Sequence, residues 1–267
     1  MRWPPAYSTF NQRPKLKKFL FVDLDDTLFQ TPKKCLSETD LQAAAYLKDG
    51  APCSFSTPRQ RAFFDFAQNG MTLIPATARN ADAFRRVDLP FSSYTVLDYG
   101  GIVLQPGGAL DADWLAQMQG DMQVALPGLM DAMRVIDDFQ SKLGRPSRAR
   151  LIEDFATPFY IVIKDHEAVA ERLAEIEHTV LRPWIDGPGP GSDFFIHRNG
   201  NNLAVLPKTL NKARAVAHLR AKLEAEHGPI LTFGMGDSAS DARFMAACDY
   251  AIVPNGTQLA GLTLAAL

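Results

Sequence analysis

The chain of 267 residues is long enough for one large domain or for a core carrying a smaller inserted one. Its 46% hydrophobic and 22% charged residues are globular values, which exclude a disordered or fibrous protein. A formal net charge of -2 and a pI near 6.2 supply no basic field for nucleic acid or an anionic membrane, and the short cluster Lys15, Lys17 and Lys18 reads as the solvated approach to a strand.

Cys35, Cys53 and Cys248 make an odd count with no Cys-x-x-Cys pair, which suits neither a disulfide framework nor a zinc site and points to a reducing cytoplasm. Residues 1–20 hold Pro4, Pro5 and Pro14 but no apolar stretch of signal-peptide length, so export is not expected. No segment approaches the roughly 20 apolar residues of a membrane span.

Residues 18–24 (KFLFVDL) form an apolar run that predicts a buried parallel strand ending at the carboxylates of Asp23, Asp25 and Asp26. The carboxyl edge of an open parallel sheet is where ligands bind, because the loops leaving it form a crevice. Residues 30–55 lengthen the connection that follows, with a helical pattern expected over 41–47. Thr57-Pro58 then opens a helix, the Thr as N-cap and the Pro in the first turn, with Phe63, Phe66 and Ala67 on one face and a stop at Asn69-Gly70. A second strand over 71–76 ends in Thr77-Ala78-Arg79-Asn80, a short helix is expected over 81–86, and a third strand over 94–97 runs into Asp98-Tyr99-Gly100-Gly101. This alternation argues for a parallel sheet with helices on its faces.

Over 102–201 the rhythm changes to helical segments at 114–122 and 129–139, strands at 151–153 and 160–164, and a helix marked by Val169, Leu173, Ile176 and Val180. The loop 187–191 and a hairpin about Asn199-Gly200 complete what reads as an α+β module with a small antiparallel sheet. A helix over 211–226 buries Val216, Leu219 and Leu223, a strand over 230–233 leads into Gly236-Asp237-Ser238-Ala239-Ser240-Asp241, and the helix from Ala242 and a last strand at 250–253 follow. The expected architecture is a three-layer Rossmann-like α/β core (1–101 and 202–267) with an inserted cap (102–201).

Three separate strands thus end in polar clusters. Alternation along an extended segment puts Asp23 and Asp25 on one side, and four carboxylates, Asp23, Asp25, Asp237 and Asp241, with no His or Cys cluster specify a hard cation, Mg²⁺ before Zn²⁺. An EF-hand calcium loop is excluded by Leu28 and Lys34 at its required Gly and Glu positions.

Asp23-Leu24-Asp25-Asp26-Thr27-Leu28 resembles the first motif, DxDx[TV], of the haloacid dehalogenase superfamily. Thr77 resembles the second-motif hydroxyl residue, Lys212 the third-motif lysine, with Lys208 as its competitor on the same stretch, and 236–241 the fourth motif, GDxxxD. Ala78 departs from the usual Gly. The inserted module is similar in position to the cap of sucrose-phosphate and mannosyl-phosphoglycerate phosphatases. The resemblance implies hydrolysis of a phosphate monoester on a small metabolite, with Asp23 as nucleophile, Asp25 as acid and base, and Thr77 and Lys212 on the phosphoryl oxygens. It also implies Mg²⁺ on Asp23, the Asp25 carbonyl, Asp237 and Asp241, and a cap that shuts over the substrate.

Arg79, Asn80, Gly100, Gly101, Arg198 and Asn255 are candidate substrate contacts, each also readable as a turn or surface residue, while His197 and His218 read as plain strand and helix residues. A phosphomutase retaining the first motif and a non-catalytic module holding a phosphorylated ligand are the alternatives. Asp25 disfavours the second, since a stable phospho-acceptor has no use for an acid two residues away. Monomer and dimer are both compatible with the pattern.

Overall fold

A computed structural model describes residues 16–35 and 39–266; Pro4, Pro5, Pro14 and Lys15 lie outside them. The chain begins with β1 (Lys17–Val22), a hairpin of β2 (Gln42–Tyr46) and β3 (Pro52–Ser56), helix α1 (Pro58–Gln68), β4 (Thr72–Pro75), the short α2 (Ala81–Phe84), and the hairpin β5 (Thr95–Leu97) and β6 (Ile102–Leu104). Helix α3 (Ala112–Lys142) leads to β7 (Arg150–Asp154), β8 (Thr157–Ile163), α4 (Ala170–Ile176), α5 (Arg182–Asp186), β9 (Phe194–Asn199) and β10 (Asn202–Pro207). Then come α6 (Lys212–His227), β11 (Ile230–Met235), α7 (Ala242–Ala246), β12 (Tyr250–Ile252) and α8 (Gln258–Leu262).

A parallel sheet runs in the order β12-β11-β1-β4 and is extended to β5 by the Ala76–Val96 bridge. Along β1, Phe19 and Phe21 face a cluster with Val216, Leu219 and Phe244, while Leu20 and Val22 face Phe64 and Ala67. Period-two alternation in a strand buried on both faces therefore builds the helix-sheet-helix layers directly. The second sheet is antiparallel, β7-β8-β10-β9, and packs Ile161, Ile163, Leu203 and Val205 against Leu129, Ala132 and Ile136 of α3. The fold is thus the expected parallel-sheet core with a cap. The expected seams at 101/102 and 201/202 both fall inside hydrogen-bonded hairpins, β5–β6 and β9–β10.

Three local expectations are corrected. Residues 114–122 and 129–139 belong to one helix of 31 residues that continues through Pro127. Pro costs roughly 3 kcal/mol inside a helix, and burial of Trp114, Met118 and Met122 before it and Leu129, Ala132 and Ile136 after it offsets that cost. Gly128 serves this packing, because a Cβ there would stand 2.5 Å from the Phe194 ring. The 41–47 pattern is a strand, not a helix: Asp49-Gly50 makes the turn, with Leu47 N–H on Ala51 O at 2.8 Å, and that Asp-Gly pair was the overlooked signal. Phe66 is 71% exposed, and Phe64 with Ala67 forms the buried face of α1. The Thr57 cap itself is realised as a capping box with Gln60.

Asp98, at the end of β5, is wholly buried, and neither of its carboxyl oxygens has a hydrogen-bond partner among the described residues. Asp154, from the cap, lies against it and accepts the Ala81 N–H at 2.6 Å. Burial first, and Asp154 second, push the Asp98 carboxyl well above its ordinary value. The folded state thus keeps a proton that the unfolded chain releases near pH 3.9, so this contribution to stability is lost as pH rises through the folded value. Asp98→Asn is expected to raise the melting temperature at pH 8 and to flatten its fall between pH 5 and 8. Parallel pH profiles for the two proteins would remove Asp98 as the titrating group.

Candidate active site

The carboxyl ends of β1, β4 and β11 meet the amino end of α6, and there the chemistry gathers. Asp23 leaves β1 with its N–H on Met235 O at 2.9 Å, which pins it beside β11. Its side chain is 8% exposed, and Oδ1 accepts from Lys212 Nζ at 2.5 Å. Lys212, the first residue of α6, also donates to Asp241 Oδ1 at 2.7 Å. The other oxygen of Asp241 accepts from Ser238 Oγ at 2.6 Å and Ser238 N–H at 3.1 Å. Thr27 Oγ1 lies 3.4 Å from both Asp23 Oδ2 and Asp237 Oδ1.

Gly100 makes this reach possible. It has φ +105°, and a Cβ would stand 2.5 Å from the Asn211 carbonyl oxygen, so only glycine lets the start of α6 approach closely enough to deliver Lys212. Gly101 likewise leaves room for the Phe159 ring. Both are packing positions rather than lining residues of the cleft.

Asp25 faces the same cleft, but through a turn rather than strand alternation: β1 ends at Val22, and Asp26, with φ 63°, turns the chain. Both oxygens of Asp25 are held in the fork of Arg79, at 2.7 Å each. The buried Thr77 hydroxyl accepts the Arg79 N–H at 3.1 Å and lines the cleft. Asn80 caps α2 through Ala83 N–H, Arg198 lines the cleft while paired with Glu177 at 3.2 Å, and Asn255 closes a turn on Gly256 N–H. Lys208 is exposed and donates to Ser192 O, away from the carboxylates.

Oxygens of Asp23, Asp237 and Asp241 all lie within 4.8 Å of one another. Burial pushes Asp23 well above its usual range against the pull of Lys212, and burial with Asp241 nearby takes Asp237 up to about 6. Burial acts upward on Asp241 too, but Lys212 and Ser238 outweigh it and hold that carboxyl below its usual value. One ammonium does not balance this set of carboxylates, and its all-oxygen donors fit a hard divalent cation. With both oxygens of Asp241 engaged and Asp23 Oδ1 on Lys212, Asp237 is the freest donor of the three.

Tyr99, His197, Lys34 and Thr257 also line the cleft and carry no local sequence signal for it. Tyr99 packs edge-on against Tyr160 and His197, and burial lowers the basicity of His197. Lys34 comes from the 30–55 segment and pairs with Asp26 at 2.6 Å, so that segment reaches the entrance while its hairpin lies against the core at Ala45–Val87.

The order in which two strand ends, a helix start and a third strand end supply carboxylate, hydroxyl, lysine and carboxylate is that of haloacid dehalogenase-type phosphatases, and the chain is one of these enzymes. More narrowly, the family model described as sucrose-6F-phosphate phosphohydrolase matches residues 16–260, and the chain belongs to that family. Among solved structures, the C-terminal domain of trehalose-6-phosphate phosphatase from C. albicans matches with a TM-score of 0.55 at 13% identity, covering 87% of this chain and 74% of that one. The sucrose-phosphatase from Synechocystis, in complex with sucrose and phosphate, matches with a TM-score of 0.50 at 14% identity, covering 94% and 97%. At such identities these likenesses speak to the fold. No curated protein matches the chain.

Proposed function

We propose that the chain hydrolyses the phosphate monoester of a sugar or similar small metabolite through a phospho-Asp23 intermediate, with Mg²⁺ bound beside it. The observation that carries this reading is the buried Asp23 carboxylate at the floor of a cleft, held by Lys212 at 2.5 Å, with Asp25 facing the same space. A sugar phosphate is favoured because the family description and both structural neighbours name phosphatases of such esters.

Asp23 forms a bond to phosphorus as the bond to the sugar oxygen breaks, and Asp25 gives that oxygen a proton. Water then attacks phosphorus and gives a proton to Asp25, and the acyl phosphate bond breaks to release phosphate and free Asp23. Proton transfer at Asp25 requires one of its two Arg79 hydrogen bonds to open when substrate enters. Thr77 and Lys212 steady the phosphoryl oxygens. Mg²⁺ would be held by Asp23, the Asp25 carbonyl, Asp237 and Asp241, and when bound it offsets repulsion between nucleophile and anionic substrate.

The working division is a catalytic core of 1–101 and 202–267 and a cap of 102–201. The free Cys35, Cys53 and Cys248 support a reducing cytoplasm; among the described residues no helix is long and apolar enough to cross a membrane.

Phosphate release from p-nitrophenyl phosphate and a sugar-phosphate panel tests the reading. EDTA is expected to lower the rate about 10²-fold, and Mg²⁺ to restore it. Full activity in EDTA removes the metal, and return of phosphate to another sugar position instead of its release identifies a mutase.

A further inference from the structure

Beyond the phosphoryl site, a second cleft of about 640 Å³ opens between the core and the cap sheet and adjoins the first, sharing Asp25, Asp26, Lys34, Tyr99 and His197 with it. Its wall is one face of the antiparallel sheet: Arg150 and Ile152 from β7, Tyr160 and Val162 from β8 with Lys164 just beyond, and Ala204 from β10. Period-two alternation sorts these residues from Leu151, Ile161, Ile163, Leu203 and Val205, which turn to the other face and pack in the cap's own core.

The charges on this wall are unevenly matched. The cleft is lined by Lys34, Arg79, Arg150 and Lys164 against Asp25 and Asp26. Both carboxylates are already taken, Asp26 by Lys34 at 2.6 Å and Asp25 by Arg79 at 2.7 Å. Arg150 and Lys164 are left over: both are exposed, and neither forms an ion pair or a side-chain hydrogen bond with any described residue. The carboxylate four residues along from Arg150, that of Asp154, is turned to the Ala81 N–H at 2.6 Å. At the phosphoryl end the balance is the reverse, with Asp23, Asp237 and Asp241 around the one ammonium of Lys212.

The geometry points to a substrate with two anionic ends: the phosphate to be cleaved, and a second anion, carboxylate or phosphate, that is not cleaved and is received by Arg150 and Lys164. This rests on the phosphatase reading and names the substrate class for that site. Arg offers a planar fork suited to either anion, and Lys a point charge beside it. Arg150 stands on β7 and Lys164 directly follows β8, so the sheet fixes the distance between the two ends of the ligand.

The test pairs substrates that differ only at the far end: glucose 1-phosphate against glucuronate 1-phosphate, and fructose 6-phosphate against fructose 1,6-bisphosphate. The two-anion member of at least one pair is expected to have a KM about tenfold lower, and which pair responds separates carboxylate from phosphate. Arg150→Ala with Lys164→Ala is expected to abolish that difference while leaving kcat, and all kinetics with p-nitrophenyl phosphate, unchanged. Calorimetric binding of the same four esters to Asp23→Asn reads the far-end preference without turnover. Equal affinities within both pairs, or equal losses for one-anion and two-anion esters in the double variant, overturn the inference. Absence of hydrolysis with a retained binding preference overturns the phosphatase reading and leaves the second-anion site standing.

Discussion

Asp23→Asn will lower phosphate release from p-nitrophenyl phosphate about 10⁴-fold, and the melting temperature measured in EDTA will stay level or rise. An amide has no charged oxygen to form the acyl phosphate, so the first half-reaction stops even though the residue still fits its place. The stability argument runs in the opposite direction. Asp23 and Asp241 share the single ammonium of Lys212, with Asp237 close beside them, and burial already pushes Asp23 upward and Asp237 up to about 6. Removing one carboxylate relieves like-charge repulsion, while Asp241 keeps Lys212 paired at 2.7 Å. Activity within tenfold of the parent would rule out Asp23 as the nucleophile, whatever the melting curve.

Lys212→Ala is expected to combine a loss of activity of about 10³-fold with a fall in melting temperature of roughly 10 °C. Lys212 is 6% exposed and reaches Asp23 at 2.5 Å and Asp241 at 2.7 Å. Its burial disfavours the ammonium, but those two aspartates outweigh it and raise its basicity above the ordinary value. Truncation leaves buried carboxylates without their cation, a change that costs about 3–5 kcal/mol, and it removes the group that orients Asp23. Lys208→Ala is the control on the same stretch. Lys208 is exposed; its side chain donates to Ser192 O at 2.6 Å, and its main chain meets Asp193 O and Asn211 Nδ2, contacts a substitution to Ala leaves to the backbone, so its loss is expected to stay within about 0.5 kcal/mol. Equal effects of the two substitutions would return the choice of lysine to the alternatives open from the sequence.

The strand ends that carry Asp23, Thr77 and Asp237 were legible because strands buried on both faces produce unbroken apolar runs, and the first polar residue after each run marks the edge of the sheet. Helix starts at Thr57-Pro58 and Asn211 were legible because capping is local chemistry. What tertiary packing decides was not. Pro127 reads as a break, and only burial of both halves of α3 shows why the helix runs on. The alanines at 43–45 favour a helix in isolation, yet they pair with β3 across a turn at Asp49-Gly50. Gly100 and Gly101 were candidates for contact with substrate, but their role is to let α6 and Phe159 approach. Arg150 and Lys164 carried no signal, since nothing in their neighbours tells which face of a small sheet will be turned toward a site distant in sequence, and Tyr99 sits in a turn whose direction is set by packing.

The apolar cluster around Phe19 and Phe21 does not end at the core. It runs on through Trp114 and Met118 of α3 to Phe159, Tyr160, Val162 and Ala204 of the cap sheet, beside the buried Asp98, its neighbour Asp154 and the charged cleft. Swinging the cap away would wet that surface at about 25 cal/mol for each Å² exposed, and would pull on a helix whose two ends are embedded in different cores. Burial of that surface favours the cap seated against the core. With the cap seated there, a panel of phosphate esters is expected to show a lower kcat/KM for long or branched members than for short ones, because the entrance is set before the substrate arrives.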